Sequence, residues 1–357
     1  MGAFLFLLSF FGFIFYFLHF STLPIINYNM KKLTYNVAIV GATGLIGRKF
    51  IETLEKRHFP VNSARLFASK KSEGKKVFAF GKQLSVETLE NNDFKGIDFA
   101  FFAAGKEVSL NYAPLFAKSG AIVIDNSSAF RMNESTPLVL PEINGEKVFG
   151  SYGKIIANPN CSTIIALTPL ANIYKKIGIK RIIFTSYQAV SGSGMKGIKD
   201  LLRTRYGFSP EYYPVDISEN VLPKIGEKTA NGYTEEEMKM VNETKKILNA
   251  DFPISATCVR VPVENCHGIS VEAETENEID ITKLKSEMTF DAASYVETPT
   301  CKDSDGKYYV TFGRLRKSLA FKNGFSYFVT GDNTLKGAAL NAVQIAEYII
   351  NNTNNIG

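Results

Sequence analysis

The sequence is short of several features that mark whole classes of protein. Its four cysteines, at 161, 258, 266 and 301, form no C-x-x-C pair, which argues against a zinc ribbon or a thioredoxin-like motif. Four scattered thiols suit a reducing compartment better than a disulfide scaffold. There is no long basic run. The 41 basic and 35 acidic residues leave a net charge of only +6, and the Lys and Arg are spread along the chain, where a nucleic-acid binder concentrates them. Histidine is scarce, with three in the chain. What remains is an ordinary globular composition, 45% hydrophobic and 21% charged over 357 residues. That is enough for two domains and a core needing neither disulfides nor a structural metal.

Charge is missing altogether from residues 1–29, which hold 8 of the 28 Phe and no Lys, Arg, Asp or Glu. The 18 residues from Ala3 to Phe20 are broken only by Ser9, Gly12 and His19. Such a run is barely long enough to span a bilayer. As a signal peptide it lacks a basic start and a small-residue cleavage site. As an anchor, its basic flank Lys31-Lys32 would leave the rest of the chain in the cytoplasm. The reading we favour is that the working protein starts at Met30, since Met30-Lys31-Lys32-Leu33 reads as a chain start and a first strand begins near Asn36.

From there short apolar runs alternate with helical patterns. Val37 to Val40 predicts a strand, and Gly41-Ala42-Thr43-Gly44-Leu45-Ile46-Gly47 a turn that opens a helix to about Arg57. Further strands are expected at Arg65–Ala68, Ile97–Ala103 and Ala121–Asp125, with a helix over Lys106–Lys118. Strands separated by helices imply a parallel, doubly wound sheet. Glycines at such a turn let the backbone approach a pyrophosphate, and the helix amides then meet its charge. The spacing is G-x-x-G-x-x-G, which as a bare tight turn has a structural reading too; the strand before it and the helix after it favour a nucleotide. After the second strand the chain reads Phe67-Ala68-Ser69-Lys70-Lys71-Ser72, with no carboxylate for a ribose hydroxyl. Hydroxyls and ammonium groups suit a 2′-phosphate, so NADP is expected over NAD; a solvated basic loop is the alternative.

Cys161 lies in Asn158-Pro159-Asn160-Cys161-Ser162-Thr163, before an apolar helical run to about Lys175. A helix N-terminus there would favour a thiolate. With the chain starting at Met30, only His58 and His267 remain to act as its base. His58 ends the first helix. His267 sits in Arg260-Val261-Pro262-Val263-Glu264-Asn265-Cys266-His267-Gly268, in a loop between strand patterns Ile254–Val263 and Ile269–Ala273, and is the leading candidate for general acid/base.

At this point the chain from Asn36 to about Asn351 resembles the aspartate-semialdehyde dehydrogenase family. The likeness rests on an ordered series: the Gly41–Gly47 turn, Asp125-Asn126-Ser127-Ser128-Ala129-Phe130-Arg131, Pro141-Glu142-Ile143-Asn144, the Cys161 segment, Gln188-Ala189-Val190-Ser191-Gly192-Ser193-Gly194, Arg260 through His267, and Gly331-Asp332-Asn333-Thr334-Leu335-Lys336-Gly337-Ala338-Ala339. The resemblance implies Cys161 as nucleophile, His267 as general acid/base and Gln188 orienting the substrate. It implies Arg260 on the substrate carboxylate, Arg131 and Lys246 on phosphate, Glu243 in the same region and Asn160 at the acyl centre. On the cofactor side it implies Gly41, Thr43, Gly44, Leu45, Ile46 and Gly47 around the pyrophosphate. Ser69 and Lys71 would bind the 2′-phosphate, where the family commonly has Arg in place of Lys71. Ser191, Gly192 and Asn333 would lie near the nicotinamide; no metal is implied.

The implied reaction is NADPH-dependent reduction of L-4-aspartyl phosphate to L-aspartate 4-semialdehyde with release of phosphate, through a Cys thioester. It feeds lysine and diaminopimelate, threonine, methionine and isoleucine synthesis, in a cytoplasmic homodimer or a pair of such dimers, with no nucleic acid and no membrane required. The implied fold is α/β: a Rossmann-type doubly wound NADP-binding domain over 30–159, and an α+β catalytic and dimerisation domain with a mixed sheet over 160–332. A helix over 333–357 would return to the first domain, and 1–29 would be an apolar extension. Two rivals are N-acetyl-gamma-glutamyl-phosphate reductase, whose nucleophile segment usually reads Asn-Pro-Gly-Cys-Tyr, and a non-catalytic NADP-binding sensor, which should have lost Cys161, Gln188, Arg260 or His267.

Deleting residues 1–29 leaves 328 residues and the same net charge. Dehydrogenase activity should be intact and solubility improved; loss of activity on truncation, or a native mass that includes residues 1–29, would overturn the start at Met30.

Overall fold

The computed structural model describes residues 32–90, 92–150 and 154–353; the expectations for residues 1–29 lie outside them. Apolar runs rich in Val, Ile and Phe form the central strands of a seven-stranded sheet, in the order β3-β4-β2-β1-β5-β6-β7. The strands are β1 Tyr35–Val40, β2 Val61–Phe67, β3 Lys76–Ala79, β4 Lys82–Glu87, β5 Phe99–Phe102, β6 Ile122–Asp125 and β7 Ile155–Ala157. All neighbours pair in parallel except the β3–β4 hairpin at one edge. Helices α1 Leu45–Lys56 and α2 Lys106–Lys118 supply two of the crossovers. This is a Rossmann-type doubly wound sheet, and α2 spans the residues its periodicity predicts.

Two expectations shift. Strand β2 begins four residues early, because Asn62 and Ser63 are exposed and bond to the Asn36 side chain; that end of the strand carries no apolar signal. The hairpin was not foreseen. Its turn, Phe80-Gly81, has both residues at positive φ, and half of its strand residues are exposed.

Past the short helix α3 Pro141–Asn144, β7 leaves the first sheet and helix α4 Cys161–Leu167 begins the second unit. The expected helix to about Lys175 is broken at Thr168–Leu170, where Pro169 starts a tighter turn. Strands β8 Ile179–Gln188, β9 Ile254–Arg260, β10 His267–Thr275, β11 Ala293–Tyr295, β12 Val310–Lys317 and β13 Gly324–Gly331 form a mixed sheet ordered β11-β12-β13-β10-β8-β9. β9 stops at Arg260, ahead of Pro262. His267, expected in a loop, instead opens β10. Helices α5 Gly194–Arg205, α6 Glu235–Leu248, α7 Ile281–Met288 and α8 Cys301–Ser304 surround this sheet.

The register decides where chemistry can sit. Gln188 ends β8 opposite Arg260 at the end of the parallel strand β9. His267 opens the antiparallel β10 opposite Gly331 at the end of β13. Four chain segments therefore deliver their polar residues to one end of the mixed sheet. That end faces the carboxyl ends of the parallel strands, where open α/β sheets bind ligands. The last helix, α9 Leu340–Thr353, buries Ala342, Val343, Ile345, Ala346 and Ile349 in one apolar cluster with β1, α1 and β5. Among the described residues no helix is long and apolar enough to cross a membrane.

The turn after β1 tests this packing. A Cβ on Gly47 would lie 2.1 Å from the Gly41 carbonyl oxygen, whereas one on Gly44 would lie 3.3 Å from it. Gly47→Ala should destabilise the protein by about 2 kcal/mol or more, and Gly44→Ala by less than about 1 kcal/mol, measured by chemical denaturation. Equal effects would refute the close packing of helix α1 on its own turn.

Candidate active site

The nucleophile candidate is held by the residue before it. Asn160 caps α4, its side-chain oxygen accepting from the Ser162 and Thr163 amides at 2.9 and 3.4 Å. Cys161 is the first helical residue, with Sγ 3.2 Å from Nε2 of the fully buried His267. The other ring nitrogen, Nδ1, accepts a hydrogen bond from the Ala189 amide at 3.0 Å. A main-chain N–H can only donate, so the neutral ring carries its proton on Nε2 and points it at the sulfur. Burial pushes the Cys161 thiol up to about 11, with Glu236 adding to it and Arg131 and Arg260 opposing. Burial pushes His267 down to about 3, and Arg260 adds to that. The resting pair is a thiol beside a neutral imidazole. The expected thiolate at a helix start is outweighed by burial, and α4, seven residues long, brings only a small dipole.

Helix α6 forms the opposite wall. Glu236, Lys239 and Glu243, spaced three and four apart, share one face. Glu236 accepts from Asn160 Nδ2 at 2.8 Å, Gln188 Nε2 at 3.4 Å and Lys239 Nζ at 3.1 Å. Burial would raise its carboxyl, but Lys239, the Asn160 amide and Arg260 outweigh this and hold it below the usual range. Glu243 accepts from Arg131 Nη1 at 2.9 Å and from the Asn160 main-chain N–H at 2.6 Å; burial still dominates and raises it. Arg131 also donates to the Asn126 carbonyl at 2.9 Å. Its loop is braced by the Asp125 carboxylate, which accepts from Ser109 and Ser127.

Lys246 lies farther along the same helix. Its ammonium donates to the carbonyls of Arg131, Asn133 and Thr136 at 2.7, 2.7 and 2.8 Å. All three donors are thus used on main-chain oxygens, and the side chain clamps the loop that carries Arg131. Sequence reasoning missed Glu236 and Lys239 because α6 holds two E-x-x-K pairs one heptad apart, Glu236 with Lys239 and Glu243 with Lys246. Spacing alone does not separate them; the register of the helix against Asn160 and Gln188 does.

Arg260 is buried and donates to the Ala189 carbonyl at 2.6 Å. Gly192 makes room for it: a Cβ there would sit 2.8 Å from Arg260 Nη1 and 3.4 Å from the His267 ring. Asn333 bonds Ser191 Oγ at 2.9 Å through Nδ2 and accepts from the Cys266 amide at 2.9 Å. It thereby ties the Ser191–Gly192 turn to the residue before His267. Cysteine, histidine, glutamine and arginine from four segments converge on one point.

On the nucleotide side, Gly41 adopts φ +88 and its Cβ would collide with Ala103. Gly44 caps α1 without a side-chain bond, and the first turn holds no acidic residue. The Gly41, Ala42 and Gly44 amides donate to the Phe67 and Gly41 carbonyls; among the described residues those of Thr43, Leu45 and Ile46 have no such acceptor, which suits an anion such as a pyrophosphate. Ser69 and Lys71 are exposed just beyond β2, and Ser72 lies 3.4 Å from the Thr43 hydroxyl, which sets the basic loop beside the glycine turn. These residues fit a dinucleotide.

Comparison with known proteins agrees with this geometry. The family described as "Semialdehyde dehydrogenase, NAD binding domain" matches residues 36–151, and "Semialdehyde dehydrogenase, dimerisation domain" matches residues 169–336. Aspartate-semialdehyde dehydrogenase of Aquifex aeolicus is 46% identical over 334 residues, covering 88% of this chain and 98% of the relative. The Bacillus subtilis enzyme is 44% identical, covering 87% and 96%. The crystal structure of aspartate semialdehyde dehydrogenase II complexed with ASA from Vibrio cholerae superposes with a TM-score of 0.87 at 41% identity, covering 90% of this chain and 99% of that one.

If Lys246 is a clamp, Lys246→Met should lower the unfolding free energy by about 1–3 kcal/mol, read by urea denaturation. Unchanged stability with a weakened response to phosphate would return Lys246 to a ligand role.

Proposed function

The chain belongs to the aspartate-semialdehyde dehydrogenase family, and from that premise we propose that it reduces L-4-aspartyl phosphate to L-aspartate 4-semialdehyde with release of phosphate, reversibly and through a Cys161 thioester. The observation that carries this reading is the 3.2 Å contact of Cys161 Sγ with His267 Nε2, at a point where Arg131, Lys239 and Arg260 supply fixed cations. Cys161 attacks the acyl carbon and phosphate departs toward Arg131, whose planar donors suit it, with Lys239 beside it. Arg260 takes the substrate's α-carboxylate, and Gln188 orients the acyl group. NADPH bound at the Gly41–Gly47 turn, with Ser69 and Lys71 on its 2′-phosphate, supplies the hydride that reduces the thioester. Collapse of the thiohemiacetal on Cys161 then releases the aldehyde.

His267 handles the proton at Nε2. Because Nε2 already carries the proton in the resting ring, His267 acts as the base there only as its Nδ1–H tautomer, which gives up the bond from the Ala189 amide. Arg260 is one cause of its low basicity. A carboxylate seated on Arg260 cancels that charge, so substrate binding itself raises the basicity of His267. In the same reading Lys246, carried over as a phosphate ligand, acts through the Arg131 loop, and Asn160 positions the acyl centre from the cap of α4.

The functional unit in this proposal is a cytoplasmic homodimer joined through the mixed sheet, whose outer face exposes Ile183 and Tyr187, with two dimers pairing as a further step. The nucleotide-binding unit is 30–159, the catalytic unit 160–332, and 333–357 returns to the first. Its product feeds lysine and diaminopimelate, threonine, methionine and isoleucine synthesis.

One assay tests the reading. Phosphate-dependent reduction of nucleotide is followed with aspartate semialdehyde and with N-acetylglutamate semialdehyde, each with NADP and NAD. The expected result is turnover of the first aldehyde with higher kcat/KM for NADP. Cys161→Ser should lose about 10³-fold or more in kcat while still binding NADP. Preference for the acetylated aldehyde or for NAD, or substantial activity in Cys161→Ser, would refute the corresponding part.

A further inference from the structure

We propose that the turn Leu335–Ala339 is the positioning floor of the nucleophile, with Gly337 setting where Cys161 Sγ stands against His267 and Lys336 holding the turn in register. The inference deepens the proposed function and rests on Cys161 as the reacting thiol.

The turn is a widened, π-type one. The Gly337 amide donates to the Asp332 carbonyl at 2.9 Å, Ala339 to Thr334 at 3.2 Å and Leu340 to Leu335, each five residues back. Such turns are rare and recur at functional sites. Its start is pinned by Asp332, whose carboxylate accepts from the Thr334, Leu335 and Gly306 amides. The result is that the Gly337 backbone lies directly against the nucleophile: a Cβ there would stand 3.0 Å from Cys161 Cβ and 3.4 Å from its Cα. A side chain there would force the turn or Cys161 to give by a few tenths of an ångström.

Lys336 explains why the turn stays widened. It is fully buried, and its ammonium meets three acceptors: Glu142 Oε1 at 2.6 Å, Gln344 Oε1 at 2.8 Å and Asn341 Oδ1 at 3.3 Å. Asn341 lies five residues on, the repeat of a π turn. Its amide continues the network to Asn158 Oδ1 at 2.7 Å, and Asn158 reaches Asn126 at 2.7 Å and the Ala338 carbonyl at 3.3 Å. Asn158 is three residues before Cys161, and the Asn126 carbonyl holds Arg131. One buried cation thus links α3, the last helix, the loop of the nucleophile and the loop of Arg131. A buried charge of this kind is stable only with its partner in place. The ion pair fixes the turn, and the turn fixes the thiol.

The test is Gly337→Ala, with Lys336→Met/Glu142→Met as a second variant that removes both charges and keeps apolar volume. Each is read by kcat, KM for NADP, melting temperature, and the pH dependence of iodoacetamide alkylation followed by peptide mass at Cys161. Displacing the thiol from the His267 N–H should cut kcat by about 10- to 100-fold and move the alkylation midpoint to higher pH, with KM for NADP and melting temperature close to wild type. A folded Gly337→Ala with wild-type kcat and alkylation profile overturns the proposal. So does a loss of rate that only follows a loss of folding or NADP binding in both variants. If Gly337→Ala does not fold, the double variant decides by the same readouts. Absence of phosphate-dependent turnover in the wild type would sink the thioester reading instead, and the alkylation profile would still report on the turn.

Discussion

Asn160 is the joint on which the rest of this structure depends. Its main-chain N–H is held by Glu243, its side-chain oxygen caps α4, and its side-chain nitrogen is held by Glu236. The chain passes here from the last strand of the parallel sheet to the first helix of the second unit. A single residue with a donor and an acceptor on one short side chain therefore fixes the junction, the start of the helix and the two carboxylates of α6 together. Aspartate could cap the helix equally well but offers no donor to Glu236, and serine is too short to reach both.

Around that joint the site is a set of buried charges that balance only locally. Glu243 is matched by Arg131 and Glu236 by Lys239. Arg260 spends one nitrogen on a carbonyl and has no carboxylate within ion-pair distance among the described residues. Among the described residues, Arg131 Nε is buried without a partner. Groups of this kind are costly to leave in a low-dielectric interior. Their persistence is understandable if an anion completes them, and the proposed substrate carries two anionic groups.

Much of this was legible in the sequence for a physical reason: strands that are buried on both faces read as apolar runs, and glycines forced by close approach read as punctuation. β1, α2 and the Gly41–Gly47 turn belong to that class. The β3–β4 hairpin was not legible, because an exposed edge needs no apolar pattern. Cys161 and His267 stood out because Asn-Pro-Asn and the scarcity of histidine isolate them. The choice between Lys239 and Lys246 was illegible, since both lie on the same helical stripe after a glutamate. Only the contact of α6 with Asn160 and Gln188 distinguishes a side chain that faces the site from one that fastens its loop.

The protonation of the pair follows from the same balance. A thiol pushed up to about 11 beside an imidazole pushed down to about 3 is a poor nucleophile at neutral pH. Burial sets both shifts, and among the charges Arg260 stabilises the thiolate while it opposes the imidazolium. A carboxylate arriving on Arg260 therefore has opposite effects on the two partners: it raises the histidine and weakens the stabilisation of a free thiolate. What it favours is transfer of the proton from sulfur to a ring whose Nε2 has first been freed of its own proton, as the sulfur forms its bond to carbon, when no free thiolate need accumulate. The geometry suits a thiol activated by its own substrate, and it leaves the resting cysteine protected from adventitious chemistry.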